Sequence, residues 1–164
     1  GLVRCNGFPT LKVDHSQGIG RGNLYIQWSD QRAGGSDTDV FLIRSSDNGK
    51  TWTKPQRVNN DSSGKQQFFS WMDVDMADGS IYLVFYDRRN HENDATDVYL
   101  AYSKDQGDTF ENVKISESPF TPKKSLFFGD YNDISAVGGV IRPIWTRQEG
   151  QKLGVYTAII DIKK

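Results

Sequence analysis

The sequence predicts an all-β fold assembled from three repeated units, and three observations carry that prediction. Leu24-Tyr25-Ile26-Gln27-Trp28-Ser29-Asp30-Gln31-Arg32 returns 57 residues later as Ile81-Tyr82-Leu83-Val84-Phe85-Tyr86-Asp87-Arg88-Arg89, and Thr38-Asp39-Val40-Phe41-Leu42 returns 58 later as Thr96-Asp97-Val98-Tyr99-Leu100. A more divergent copy, Ile141-Arg142-Pro143-Ile144-Trp145-Thr146-Arg147, comes after the second at a spacing of 60. Each unit is a series of short β-branched and aromatic runs broken by turn residues, without helical periodicity. Four antiparallel strands in a period of about 57 residues form one blade of a β-propeller, here with extended loops.

The first unit predicts strands at 10–14, 24–28, 39–44 and 51–58. The second predicts 71–76, a hairpin turn at Asp78-Gly79, then 80–86, 97–103 and 109–115. The third predicts 131–137, 140–145 and 153–160, with Pro143 forcing a bulge or a weakened strand because it lacks a ladder N–H. The blades cover roughly 8–60, 68–117 and 128–164 of a single segment, 1–164. Three blades do not close a ring, since propellers use four to eight. The chain therefore reads as the C-terminal part of a larger propeller, or as a half-ring that pairs with a second copy and covers its open edges.

Two stretches fix the register of the blades. Ser45, Asp47, Gly49, Thr51 and Trp52 reappear 58 residues on as Ser103, Asp105, Gly107, Thr109 and Phe110, both in the order S-x-D-x-G-x-T-aromatic. A short carboxylate accepts hydrogen bonds from its own turn, and the glycine permits positive φ. The threonine then opens a strand, and the aromatic ring is a wedge between sheets. The pattern resembles the Asp-box, or bacterial neuraminidase repeat, of sialidase-superfamily propellers. The third unit carries no such box.

Composition narrows the function classes. Twenty basic against 21 acidic residues leave a net charge of −1, so no global field draws nucleic acid or an anionic membrane. No apolar run reaches the roughly 18 residues of a membrane span, and none resembles a signal peptide. The lone Cys5 allows no internal disulfide, and His15 and His91 lack ligand spacing, so no zinc site is expected. No cofactor is expected, with Ca²⁺ the one alternative, held by clustered acids such as Asp37, Asp39, Asp94 and Asp97. Asn60-Asp61-Ser62 fits a glycosylation sequon.

Residues duplicated in every blade serve the fold, whereas a polar or aromatic residue unique to one blade is a better site candidate. In propellers ligands meet the face built by inter-blade loops and by loops between second and third strands. The inter-blade loops here, 59–70 and 116–130, are long for connections in a compact domain. They echo one another as Lys65-Gln66-Gln67-Phe68-Phe69-Ser70 and Lys124-Ser125-Leu126-Phe127-Phe128-Gly129, with the paired phenylalanines expected as buried anchors. The residues just after these stretches differ, giving Trp71, Asp73, Asp130 and Tyr131 as candidates at the start of channel-lining strands. Arg32, Arg88, Arg89 and Arg147 lie on the second class of loop, where a guanidinium fork suits a carboxylate ligand. The alternative, favoured for Arg32 and Arg89, is pairing with loop acids such as Asp30 and Asp87.

The family resemblance implies hydrolysis of terminal sialic acids by an arginine triad, a Tyr–Glu nucleophile pair and an Asp acid/base. Tyr131 is similarly placed to the nucleophilic tyrosine, but no glutamate is positioned to activate it. The Arg-Ile-Pro signature and the acid/base loop are absent from this sequence. Exo-glycosidase activity is thus expected only if a parent chain supplies them. The expected function is a sialidase-like glycan-binding domain, secreted or at a cell surface or in a periplasm, with Arg89 and Arg147 beside the aromatic candidates. The alternative is a non-catalytic interaction scaffold.

Overall fold

The computed structural model describes residues 6–162 except 63 and 124, so Cys5, Lys124 and the outermost ends of the predicted segment lie outside the described residues. Among the described residues twelve strands form three antiparallel sheets in chain order. The first contains β1 (Thr10–Val13), β2 (Leu24–Gly34), β3 (Asp37–Ser45) and β4 (Gln56–Arg57), and the second β5 (Gln67–Val74), β6 (Ile81–Asp87), β7 (Asp97–Ser103) and β8 (Glu111–Lys114). The third contains β9 (Asp133–Val137), β10 (Val140–Glu149), β11 (Lys152–Thr157) and β12 (Ile160–Asp161). Consecutive strands pair as neighbours in the first two sheets, and β5 packs against both β1 and β9. These are propeller blades with β1, β5 and β9 innermost.

The middle blade shows why the sequence folds this way. All seven residues of β6 are buried, and strand alternation divides them between two cores. Ile81, Leu83 and Phe85 join Tyr25, Leu42 and Met72 of the seam with the first blade. Tyr82, Val84 and Tyr86 join Phe68, Ile134, Ile141 and Trp145 of the seam with the third. The outer blades each keep one seam, which leaves Leu11 on the first and Val137, Ile144, Leu153 and Val155 on the third exposed.

Among the described residues the third blade has three rows rather than four. Ile144 pairs with Asp133 on one side and Thr157 on the other, while Val140 pairs with Val137 and Asp161. Strands β11 and β12 therefore share one edge of β10. Pairing on that edge lapses at Arg142 and Pro143, where proline offers no N–H, and the Thr157 hydroxyl instead donates to the Pro143 carbonyl at 2.8 Å. The stretches 141–144 and 157–160 are equal in length and the register continues across them, so of the bulge or weakened strand expected at Pro143 the ladder shows the weakened strand.

Several boundaries move. The strand expected at 51–58 contracts to Gln56–Arg57, because Thr51 is spent closing the turn and Pro55 cannot donate. The strand expected at 71–76 begins at Gln67, which brings Phe68 and Phe69 into the blade. The strand expected from 131 begins at Asp133, so Tyr131 precedes it. Among the described residues no helix is long and apolar enough to cross a membrane.

Candidate functional site

The box turns lie between third and fourth strands, at the end of the blades opposite the inter-blade loops. In the first, the Ser45 hydroxyl donates to Asp47 Oδ1 at 2.8 Å, and the Thr51 N–H and hydroxyl donate to Oδ1 and Oδ2 at 2.9 and 2.6 Å. Ser103, Asp105 and Thr109 repeat the pattern at 2.7, 3.0 and 2.5 Å. The glycine amides close each loop on the serine oxygen, Gly49 at 2.9 Å and Gly107 at 2.8 Å. Gly107 has φ +88°, and a Cβ there would meet Leu42 at 2.9 Å. The Thr51 hydroxyl and amide, with Ser45, pull the Asp47 carboxyl down to about 2. Burial tends to raise the Asp105 carboxyl, but the Thr109 and Ser103 bonds outweigh it and the value is lowered. Phe110 wedges against the seam of the first two blades, whereas Trp52 remains 37% exposed because among the described residues no sheet packs on its side.

At the opposite end, the inner strands start on an aromatic cluster. Tyr131, 67% exposed, meets Trp71 edge-on at 6.0 Å and Phe8 at 5.5 Å. Phe8 continues to Phe69 at 5.7 Å, and Phe69 to Phe68 and Phe128. Phe8 and Phe69 both adopt positive φ, +42° and +52°, a costly backbone state for aromatic residues. The Phe69 kink coincides with the register break between Phe68 and Trp71 in the β5–β6 ladder. It puts Phe68, Phe69 and Met72 into the core while Trp71 stays half-buried. Of the expected phenylalanine anchors, Phe68 and Phe69 are buried and Phe128 packs against the core, whereas Phe127 is exposed.

The arginines are engaged. Arg89 pairs with Asp87 at 2.7 Å, donates to Asn60 and Asn112 at 2.7 and 2.9 Å, and lies over the Tyr99 ring. Its side chain is 14% exposed. Burial raises the Asp87 carboxyl above its ordinary range, against the opposing pull of Arg89 and Gln67. Arg32 pairs with Asp30 at 2.5 Å, so both duplicated arginines take the acid partners weighed for them. Arg147 donates to the Ser118 carbonyl and hydroxyl at 2.7 and 2.8 Å and faces Glu149 at 3.3 Å.

Most of the acids are likewise committed. Asp73 bridges three inner strands, meeting Lys12 Nζ at 3.1 Å and accepting the Ala136 N–H at 2.9 Å. Asp130 sits half-buried ahead of β9. The four acids weighed for Ca²⁺ do not converge. Asp39 accepts from Arg57 and Asn59, Asp97 meets His91 and Asn90, Asp94 pairs with Arg88, and Asp37 is buried with its Oδ1 lacking a hydrogen-bond partner. Among the described residues no group of three or more His, Cys, Asp or Glu could hold a metal.

Two features escaped the sequence reading. Phe8, in an unremarkable lead-in to β1, supplies a wall of the aromatic cluster. Asp75, wholly buried, accepts from the backbone of Ala77, Gly138 and Gly139 at 2.8, 2.9 and 2.6 Å, tying one hairpin to the next blade. Asp14 takes the same place beside Gly79, whose Cβ would stand 2.6 Å from its Oδ2. The signal was present, because Val13-Asp14 recurs as Val74-Asp75 at a spacing of 61.

No family model matches the chain, and no curated protein matches it. Solved structures do. A family 117 glycoside hydrolase of the marine bacterium Zobellia galactanivorans is 15% identical with a TM-score of 0.57, over 94% of this chain and 52% of that one. An α-L-arabinofuranosidase of Fusarium graminearum, in complex with an iminosugar inhibitor, gives 12% and 0.60 over 96% and 47%. An endo-arabinase of Bacteroides thetaiotaomicron gives 14% and 0.54 over 94% and 55%. The likeness establishes the propeller fold, and the chain spans about half the length of each of these structures.

Proposed function

We propose that the chain supplies three blades of a carbohydrate-active propeller whose glycan lies at the channel mouth, against the rings of Tyr131, Trp71 and Phe8. The observation that carries the reading is the exposed Tyr131 ring, braced edge-on by two others at 6.0 and 5.5 Å. A fixed, half-wet aromatic surface suits the apolar face of a sugar and loses little side-chain freedom on binding. The structural neighbours, each by name a glycoside-cleaving enzyme, support the same class.

Within that class, the box motif favours an acidic glycan terminus of the sialidase kind. The geometry favours stacking over a carboxylate clamp, because Arg89 and Arg147 are already held by Asp87, Asn60, Asn112, Ser118 and Glu149. Tyr131 then acts as a binding residue, and hydrolysis draws on groups beyond this chain. Such a protein works where it meets glycans, secreted, at a cell surface or in a periplasm.

The test is turnover and binding of sialyl, arabinofuranosyl and other aryl glycosides by the full-length protein. A stacking role predicts that Tyr131→Phe keeps activity while Tyr131→Ala raises KM. Loss of turnover in Tyr131→Phe with KM unchanged would make the phenol the nucleophile. Failure to bind or cleave any glycan would leave the scaffold reading.

A further inference from the structure

The geometry points to a second saccharide site, for a neutral sugar chain, in the cleft between the second and third blades. This cleft of about 420 Å³ is walled by residues 115–118 after β8 on one side and by β10 and β11 on the other. Its volume falls in the range of small-ligand sites.

Trp145 and Tyr156 line the cleft with rings stacked at 6.5 Å and 22°. Trp145 is 6% exposed, yet its indole N–H is buried without a hydrogen-bond partner. That nitrogen has no accessible surface, so what the cleft presents to a ligand is the half-buried Tyr156 ring, backed by Trp145, which suits the apolar face of a sugar. Arg147 is fixed over Phe120 and Tyr156 by its bonds to Ser118. Glu149 faces Arg147 and raises the Tyr156 phenol above its usual range by accepting its hydrogen bond.

Charge selects the ligand. Glu117 and Glu149 oppose the single guanidinium of Arg147 along this wall. One excess carboxylate disfavours an anionic sugar, whereas hydroxyl groups both donate and accept and so match the mixed lining.

The repeat explains why the cleft exists here. The first two blades read Asp30-Gln31-Arg32 and Asp87-Arg88-Arg89, while the third reverses the order as Arg147-Gln148-Glu149. Between the first and second blades, Asn112 of β8 bonds to Val58, Asn60 and Arg89, and Phe110 wedges into the seam. Among the described residues the third blade has neither a fourth row nor a box aromatic to do the same.

The experiment is calorimetric titration of the full-length protein carrying Tyr131→Ala, which disables the proposed channel-mouth site. Arabinotetraose and xylotetraose are the neutral probes and trigalacturonic acid the anionic one. At least one neutral probe should still bind, and adding Tyr156→Ala, which removes the ring at the cleft, should weaken it about tenfold with the fold retained. Trigalacturonic acid should bind more weakly than the neutral chains. No binding by either neutral probe, an affinity unmoved by Tyr156→Ala, or tighter binding of trigalacturonic acid would each overturn the assignment. If Tyr131→Ala leaves all glycan binding of the wild type intact while Tyr156→Ala abolishes it, the mouth reading fails and the cleft stands.

Discussion

At the scale of single residues, polar groups of this chain act mainly by holding blades together, and the aromatic cluster is where side chains remain open to solvent. Asp75 illustrates the first role. Its two oxygens satisfy three backbone N–H groups, two of them in the next blade. Asp75→Ala leaves those donors buried and unpaired, and should cost about 3 kcal/mol of unfolding free energy in urea titration. Arg89 shows why a loop arginine is not automatically a ligand clamp, since its guanidinium already meets Asp87, Asn60 and Asn112. That pairing was legible from the duplicated Asp-x-Arg spacing. The placement of Asp73 was not, because its partners Lys12 and Ala136 belong to neighbouring blades 61 and 63 residues away in sequence.

At the scale of elements, the box turns are closed locally, and everything they need lies within seven or eight letters. That is why they were readable from sequence. What could not be read was the second left-handed residue in each, Asn48 at φ +61° and Gln106 at +63°, since neither letter demands it. Gly107→Ala would add a Cβ at positive φ, 2.9 Å from Leu42, and should lower stability by about 2 kcal/mol in thermal or urea unfolding. The boxes also set an acid response. Asp47 titrates at about 2 in the folded chain against an ordinary 3.8, and Asp105 is shifted in the same direction. A folded value below the unfolded one means the contribution is fully present above about pH 4 and is lost as pH falls toward 2. Circular dichroism of the Asp47→Asn, Asp105→Asn double variant should therefore show a flatter decline in stability over that window than the wild type. The cleft beside Trp145 was invisible at this level, because it depends on which strand a neighbouring blade lacks.

At the scale of the whole molecule, three sheets share two seams and leave two faces open. The outer face of the third blade carries Val137, Ile144, Leu153 and Val155, the last 72% exposed. Such a patch marks a contact surface, and we propose that further blades of a longer chain cover it, with a second copy as the alternative. In the full-length protein Val155→Asp would then bury a charge and destabilise by about 2–4 kcal/mol, whereas an uncovered face would tolerate it within about 0.5 kcal/mol. A second copy is distinguished by light scattering, which would report a dimer. The central claim concerns the channel mouth, and its most direct test is calorimetric binding of a glycan that the full-length protein recognises, compared between wild type, Trp71→Ala, Tyr131→Phe and Tyr131→Ala. Stacking predicts affinity kept in Tyr131→Phe and reduced about tenfold in each alanine variant; equal affinities across all four would contradict a glycan seated on these rings.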